Sequence, residues 1–142
     1  MIYCYLFIPL WTDISTVKVK DYNKQSDNYY NSKQFVFNVL VKNAGKLTAN
    51  VPDKLNELIE TFIKCNPGEN YLIKLTHSNR NLNITKWLAA ISSKYFGTLL
   101  TINDYRHIYS TYQARQVKHL PIRKQVKAID DVSKLMNNSV KS

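Results

Sequence analysis

The feature that most constrains this chain is the stretch Thr101 to Thr111, TINDYRHIYST, which sets an Arg-His pair inside an otherwise apolar, aromatic helical pattern. A guanidinium is always charged and carries five donors in a flat fork. Burying Arg106 beside Tyr105, Ile108 and Tyr109 is therefore costly unless it meets a carboxylate or a phosphate. Asp104 is the nearest carboxylate. The alternative is a helix whose Arg106 and His107 simply lie on the solvated face.

The rest of the chain supplies the setting. At 142 residues and 44% hydrophobic it has the length of one domain and enough apolar side chains for an ordinary core. The 20 Lys and Arg against 10 Asp and Glu give +10, which points to a polyanionic partner without separating nucleic acid from an acidic membrane surface. The surplus is steepest in residues 106–142, where Arg106, Arg115, Lys118, Arg123, Lys124, Lys127, Lys134 and Lys141 face only Asp130 and Asp131. Cys4 and Cys65 have neither CxxC spacing nor a histidine cluster, so reduced, intracellular thiols are expected rather than zinc or a disulfide. The apolar run Met1–Trp11 is too short to span a bilayer and reads as a buried helix, with part of the domain expected upstream of it.

In order, Asp13 is expected to cap a short turn through Thr16, and residues Lys20–Lys33 read as a polar loop. Phe35, Phe37, Val39 and Val41 alternate at strand spacing, Asn43–Gly45 turn, and Leu47–Val51 return: a β-hairpin over Gln34–Val51 with Lys42 and Lys46 at its tip. Pro52 opens a helix with Leu55, Leu58, Ile59 and Phe62 as its core stripe, and Asn66-Pro67-Gly68 stop it. Tyr71–Leu75 is a short extended piece, and His77–Asn81 a polar loop in which His77 is a surface histidine. From Ile84, the residues Trp87, Leu88, Ile91 and Tyr95 mark a helix with core aromatics, closed by Gly97. Thr101 or Asn103 caps the Arg106 helix, which runs to about Arg115. Pro121 opens a last helix with Ile122, Val126, Ile129, Val132 and Met136 inward, and Arg123, Lys124, Lys127 and Lys134 outward.

A hairpin with a lysine at its turn, a helix opening at a proline, T-x-x-x-x-R-H-x-x-x-T at Thr101–Thr111, and L-M-x-x-S-V-K at Leu135–Lys141 together resemble the catalytic domain of the tyrosine recombinases, or phage-type integrases. The phrasing is nearest to versions in large DNA viruses, virophages and polinton-like elements. The resemblance implies an α+β, mainly helical domain with a small antiparallel sheet, acting on duplex DNA without metal or other cofactor, with possible self-association on DNA and no membrane. It also implies an intracellular location: host cytoplasm, nucleus or viral factory. In that family a tyrosine attacks a phosphodiester, two arginines hold the non-bridging oxygens, and a lysine with histidines manages protons.

Residue by residue, the resemblance assigns Arg106 to the second arginine, His107 to the histidine after it, and Lys42 to the hairpin lysine, with Lys46 as the alternative. It leaves Asn103 and Asn138 where the family commonly has His or Lys, and His or Trp. Trp11 stands in place of the first arginine, and the nucleophilic tyrosine falls roughly nine residues beyond the final box, past Ser142. Asparagine is a poor acid or base at neutral pH. The chain thus reads as a single recombinase-like domain lacking the upstream DNA-binding domain and the terminal tyrosine segment, and inactive on its own. Lys46, Arg115, Lys118, Arg123, Lys124 and Lys127 are the expected DNA contacts. A non-enzymatic DNA-binding or regulatory protein, and a lysine-rich viral structural or interaction protein, are the other two readings.

Overall fold

A computed structural model describes residues 12–40, 45–75 and 80–135. It is a mixed α+β structure, as the sequence implies. Its strands are β1 (Tyr29–Tyr30), β2 (Gln34–Phe37) and β3 (Leu47–Asn50), and its helices α1 (Asp53–Cys65), α2 (Arg80–Phe96), α3 (Ile102–Val117) and α4 (Ile122–Leu135). A 3-10 turn over Thr12–Thr16 precedes them, tied by the Thr16 hydroxyl donating to the Asp13 carbonyl at 2.7 Å.

The hairpin forms where aromatic alternation is strongest. β2 pairs antiparallel with β3 in the register Phe35 to Ala49 and Phe37 to Leu47, and with β1 on its other edge. Phe35 and Phe37 are fully buried while Gln34 and Val36, which alternate with them, are less so. The ladder ends at Phe37, short of the expected Val39, and Val41 lies outside the described residues: the Asn28 side chain takes over the strand's role, its amide donating to the Val39 carbonyl (2.7 Å) and its oxygen accepting from the Val39 amide (2.9 Å). Val39 is consequently left exposed.

The segment read as a polar loop contains β1, a strand too short to leave a period in the sequence. Its turn into β2 is closed by Asn31, whose side-chain oxygen accepts from the Gln34 amide at 2.9 Å. Lys18 extends this edge, bridging to Tyr29 on one side and Tyr71 on the other, with the Leu72 amide donating to the Val17 carbonyl at 2.9 Å. Of the extended piece expected at Tyr71–Leu75, only an isolated bridge at Tyr71 forms, anchored by a partner far away in sequence, and the chain bends at Leu72 and Ile73.

The core lies between the sheet, the 3-10 turn and the inner faces of α1, α2 and α3: Ile14, Phe35, Phe37, Leu55, Leu72, Ile84, Leu88 and Tyr105. α1 buries Leu55 and Ile59, but Leu58 is exposed, so its core stripe is narrower than read. α2 starts at Arg80 rather than Ile84 and ends as expected at Gly97, whose φ of +68° suits the left-handed cap. Trp87 packs against the core, whereas Tyr95 and Phe96 are exposed, so the aromatics of α2 are not all core.

The largest correction concerns α4. Ile122, Val126 and Ile129 are 77%, 61% and 51% exposed instead of buried. α4 packs along α3, and Ile122, Val126 and Ile129 remain in solvent together with the cations. The helix expected at Met1–Leu10, and Trp11, Lys42, His77, Met136 and Asn138, lie outside the described residues.

Candidate functional site

Arg106 is held in place from the N-terminus of α3. Thr101 is the N-cap: its hydroxyl oxygen accepts from the Asp104 amide at 3.3 Å, while the Asp104 carboxylate accepts from the Thr101 amide and hydroxyl, each at 2.7 Å. The cap is therefore Thr101 and not Asn103. These bonds hold the Asp104 carboxyl below its usual range, with His107, one turn on, adding a smaller effect. Asp104 serves the cap, so the expected pairing with Arg106 is not its role. Residues two apart on a helix do not face each other.

Just upstream, the fully buried Ser92 accepts from the Leu100 amide at 2.9 Å and donates to the Ala89 carbonyl at 3.0 Å, fastening the end of α2 to the start of α3. Tyr105 plugs the core beside Ser92, and its phenol is pushed up by burial. With Ile102, Tyr105 and Tyr109 directed inward, the 3.6-residue period carries Arg106 inward as well.

Arg106 is only 5% exposed, and desolvation lowers its guanidinium to about 10. It remains charged at neutral pH. The solvated-face alternative therefore fails for Arg106 and holds for His107, which is exposed, as is Asn103. Ile108, read as part of the buried surround, is 46% exposed. A buried arginine flanked by exposed His107 and Asn103 gives α3 one enclosed cation and two outward hydrogen-bonding groups. Lys42 and Asn138 lie outside the described residues.

The cationic set is brought together. Residues 105–129 contain no Asp or Glu, and this acid-free stretch folds as the α3–α4 hairpin with Arg115, Lys118, Arg123, Lys124 and Lys127 all exposed along it. Among the described residues none of the five forms an ion pair with a carboxylate. Arg123 and Lys124 occupy the first turn of α4, which carries no acid, so they oppose the positive end of the helix dipole. Farther along, Lys134 pairs with Asp130 at 2.5 Å, one turn apart, and that carboxylate raises the ammonium's affinity for its proton. Lys46 is exposed at the entry to β3, on a different element from these five. His119, in the α3–α4 turn, joins the exposed basic corner and was not singled out in the sequence, since a lone histidine carries no spacing signal.

Between α3 and α4 runs a groove of about 330 Å³ lined by Thr111, Ala114, Val117, Ile129 and Val132 among others. Among the described residues no three His, Cys, Asp or Glu side chains cluster, and no helix is long and apolar enough to cross a membrane. The fold and the site together define an α+β domain carrying a basic, amphipathic helical hairpin. No family model matches the chain, and no curated protein or solved structure is significantly similar to it.

Proposed function

We propose that this chain is a DNA-binding domain of tyrosine-recombinase type that holds duplex DNA through the α3–α4 hairpin and does not cleave it as an isolated chain. The observation that carries the reading is the acid-free run 105–129, which presents Arg115, Lys118, Arg123, Lys124 and Lys127 to solvent without carboxylate partners among the described residues. Five like charges on one helical hairpin repel one another, and two of them also oppose a helix dipole. A row of phosphates removes both penalties and releases its own counterions.

Support for the recombinase type comes from Arg106, the residue that the resemblance assigns to phosphate binding. It is set on a capped helix whose first turns are locked into the core. Support for the absence of cleavage comes from the sequence, where the resemblance sets Trp11 in the place of a phosphate-binding cation. Losing one preorganised donor costs about 3 to 4 kcal/mol of transition-state stabilisation.

The test is binding of a fluorescent duplex at several salt concentrations. If all five cations reach phosphates, the logarithm of affinity falls against the logarithm of salt with a slope of about −4 to −5. Changing Lys118 and Lys124 to Gln reduces that slope by about 2. A flat salt response, or a slope unmoved by the double change, rejects the hairpin as the DNA-binding surface.

A further inference from the structure

We propose that α4 is also a self-association surface, on which two copies of the chain pair antiparallel about Val126. Each copy's Ile122 packs on Ile129 of the other, and each copy's Arg123 lies beside Asp130 of the other. The inference does not depend on DNA.

Exposure is the first observation. Ile122, Val126 and Ile129 recur at helical spacing on one side of α4, and each is more than half exposed. This row is continuous, through Ile129, with the groove against α3 that Ala114, Val117 and Val132 line. Scattered exposed apolar residues need no explanation, but a helix-long row of them on an otherwise highly charged helix does.

The second observation identifies the occupant. In an antiparallel two-fold pair, a residue a given distance before the centre meets the residue at nearly the same distance after it. Ile122 stands four before Val126 and Ile129 three after it; Arg123 stands three before and Asp130 four after. The apolar row is therefore complementary to itself when reversed. Arg123 and Asp130, seven residues apart, share one flank of the helix, because two turns bring the chain round to within about 20°. Reversal sets opposite charges together twice, once on each side of the axis. Parallel pairing would instead turn the two Arg123–Asp130 flanks to opposite sides of the pair, where neither meets the other. An anionic surface laid on the row would meet the Asp130 carboxylate on its flank, which a second copy turns to use.

The pair is weak by construction. A 14-residue helix is about 21 Å long, and interfaces below about 1,200 Å² in total are transient. Self-association is therefore expected only at high protein concentration, or where the chains are gathered on a common partner.

The test is sedimentation equilibrium of the full chain from micromolar to millimolar concentration. A monomer–dimer equilibrium is expected. Val126→Lys abolishes it without changing the circular dichroism spectrum, since Val126 faces solvent in the monomer. Arg123→Asp and Asp130→Arg each weaken dimerisation by about tenfold, two ion pairs being lost at once, and the double reversal restores it. Orientation is read by cross-linking with Cys4 and Cys65 replaced by Ser: a mixture of Ile122→Cys and Ile129→Cys chains forms a disulfide dimer, and Ile122→Cys alone does not. A monomer at every concentration, a dimer indifferent to Val126→Lys, or efficient cross-linking of Ile122→Cys to itself each overturns the proposal.

Discussion

At the scale of single residues, two buried polar side chains set limits on what the chain tolerates. Arg106 fills space in the core with its stem while its head stays charged. Arg106→Ala should cost about 1 to 3 kcal/mol in urea denaturation, through lost packing. Arg106→Met keeps the length and discards the charge, and should recover most of that loss, since a hydrophobic replacement of a buried ion is often neutral. A Met variant no more stable than the Ala variant would show that the charge, not the stem, holds α3.

Tyr30 is the second case. Its hydroxyl donates to the Glu60 carboxylate at 2.9 Å and lies within hydrogen-bond reach of the Asn56 side-chain oxygen, a second acceptor, tying β1 to α1. Burial first, and Glu60 second, push its phenol well above the ordinary value of 10. A folded pKa raised above the unfolded one favours the protonated phenol, so this contribution is fully present below about pH 10 and is lost as pH rises beyond it. Tyr30→Phe should lower stability at neutral pH by about 1 to 2 kcal/mol and flatten the alkaline limb of the stability profile. An unchanged alkaline limb would locate that titration elsewhere.

At the scale of elements, the cap of α3 decides the orientation of everything on it. Thr101→Ala removes one side of a reciprocal capping box and should cost about 1 kcal/mol. Thr101→Ser should be nearly silent. Equal losses for the two, read by thermal unfolding, would mean that the methyl group and not the hydroxyl matters. This cap was legible in the sequence because Thr-x-x-Asp before an apolar residue is a chemical pattern, although Asn103 stood as an equal alternative until the Asp104 carboxylate was seen turned back on Thr101. The hairpin was legible because Phe35 and Phe37 alternate, but its length was not: Asn28, reaching in from another segment, ends the ladder by substituting its own amide. β1 was illegible because two residues carry no period and its pairing is set by tertiary contacts.

At the scale of the whole molecule, α4 shows where periodicity stops informing. The spacing of Ile122, Val126, Ile129 and Val132 correctly gives a helix with an apolar side, but amphipathicity states only that a side wants cover, not that the same chain covers it. The charge reading met no such ambiguity: cations on a surface helix stay in solvent whether or not a partner is present, so the exposure of Arg115, Lys118, Arg123, Lys124 and Lys127 was legible from composition alone. Arg106 stood out in the sequence as a cation within an apolar helical pattern, while the direction of its side chain depended on which turns of α3 reach the core.

The bridge at Lys18 has a kinetic consequence. Its neighbours are Tyr29, close by in the chain, and Tyr71, which comes only after the hairpin and the whole of α1. Closing that edge requires a long loop to be drawn shut, a search whose entropy grows with the length of chain enclosed, whereas α3 and α4 meet across a four-residue turn. Folding should therefore proceed from both ends of the cost scale, with the helical hairpin forming early on local contacts and the Lys18 edge sealing last. During synthesis, that edge cannot seal until Tyr71 has emerged from the ribosome.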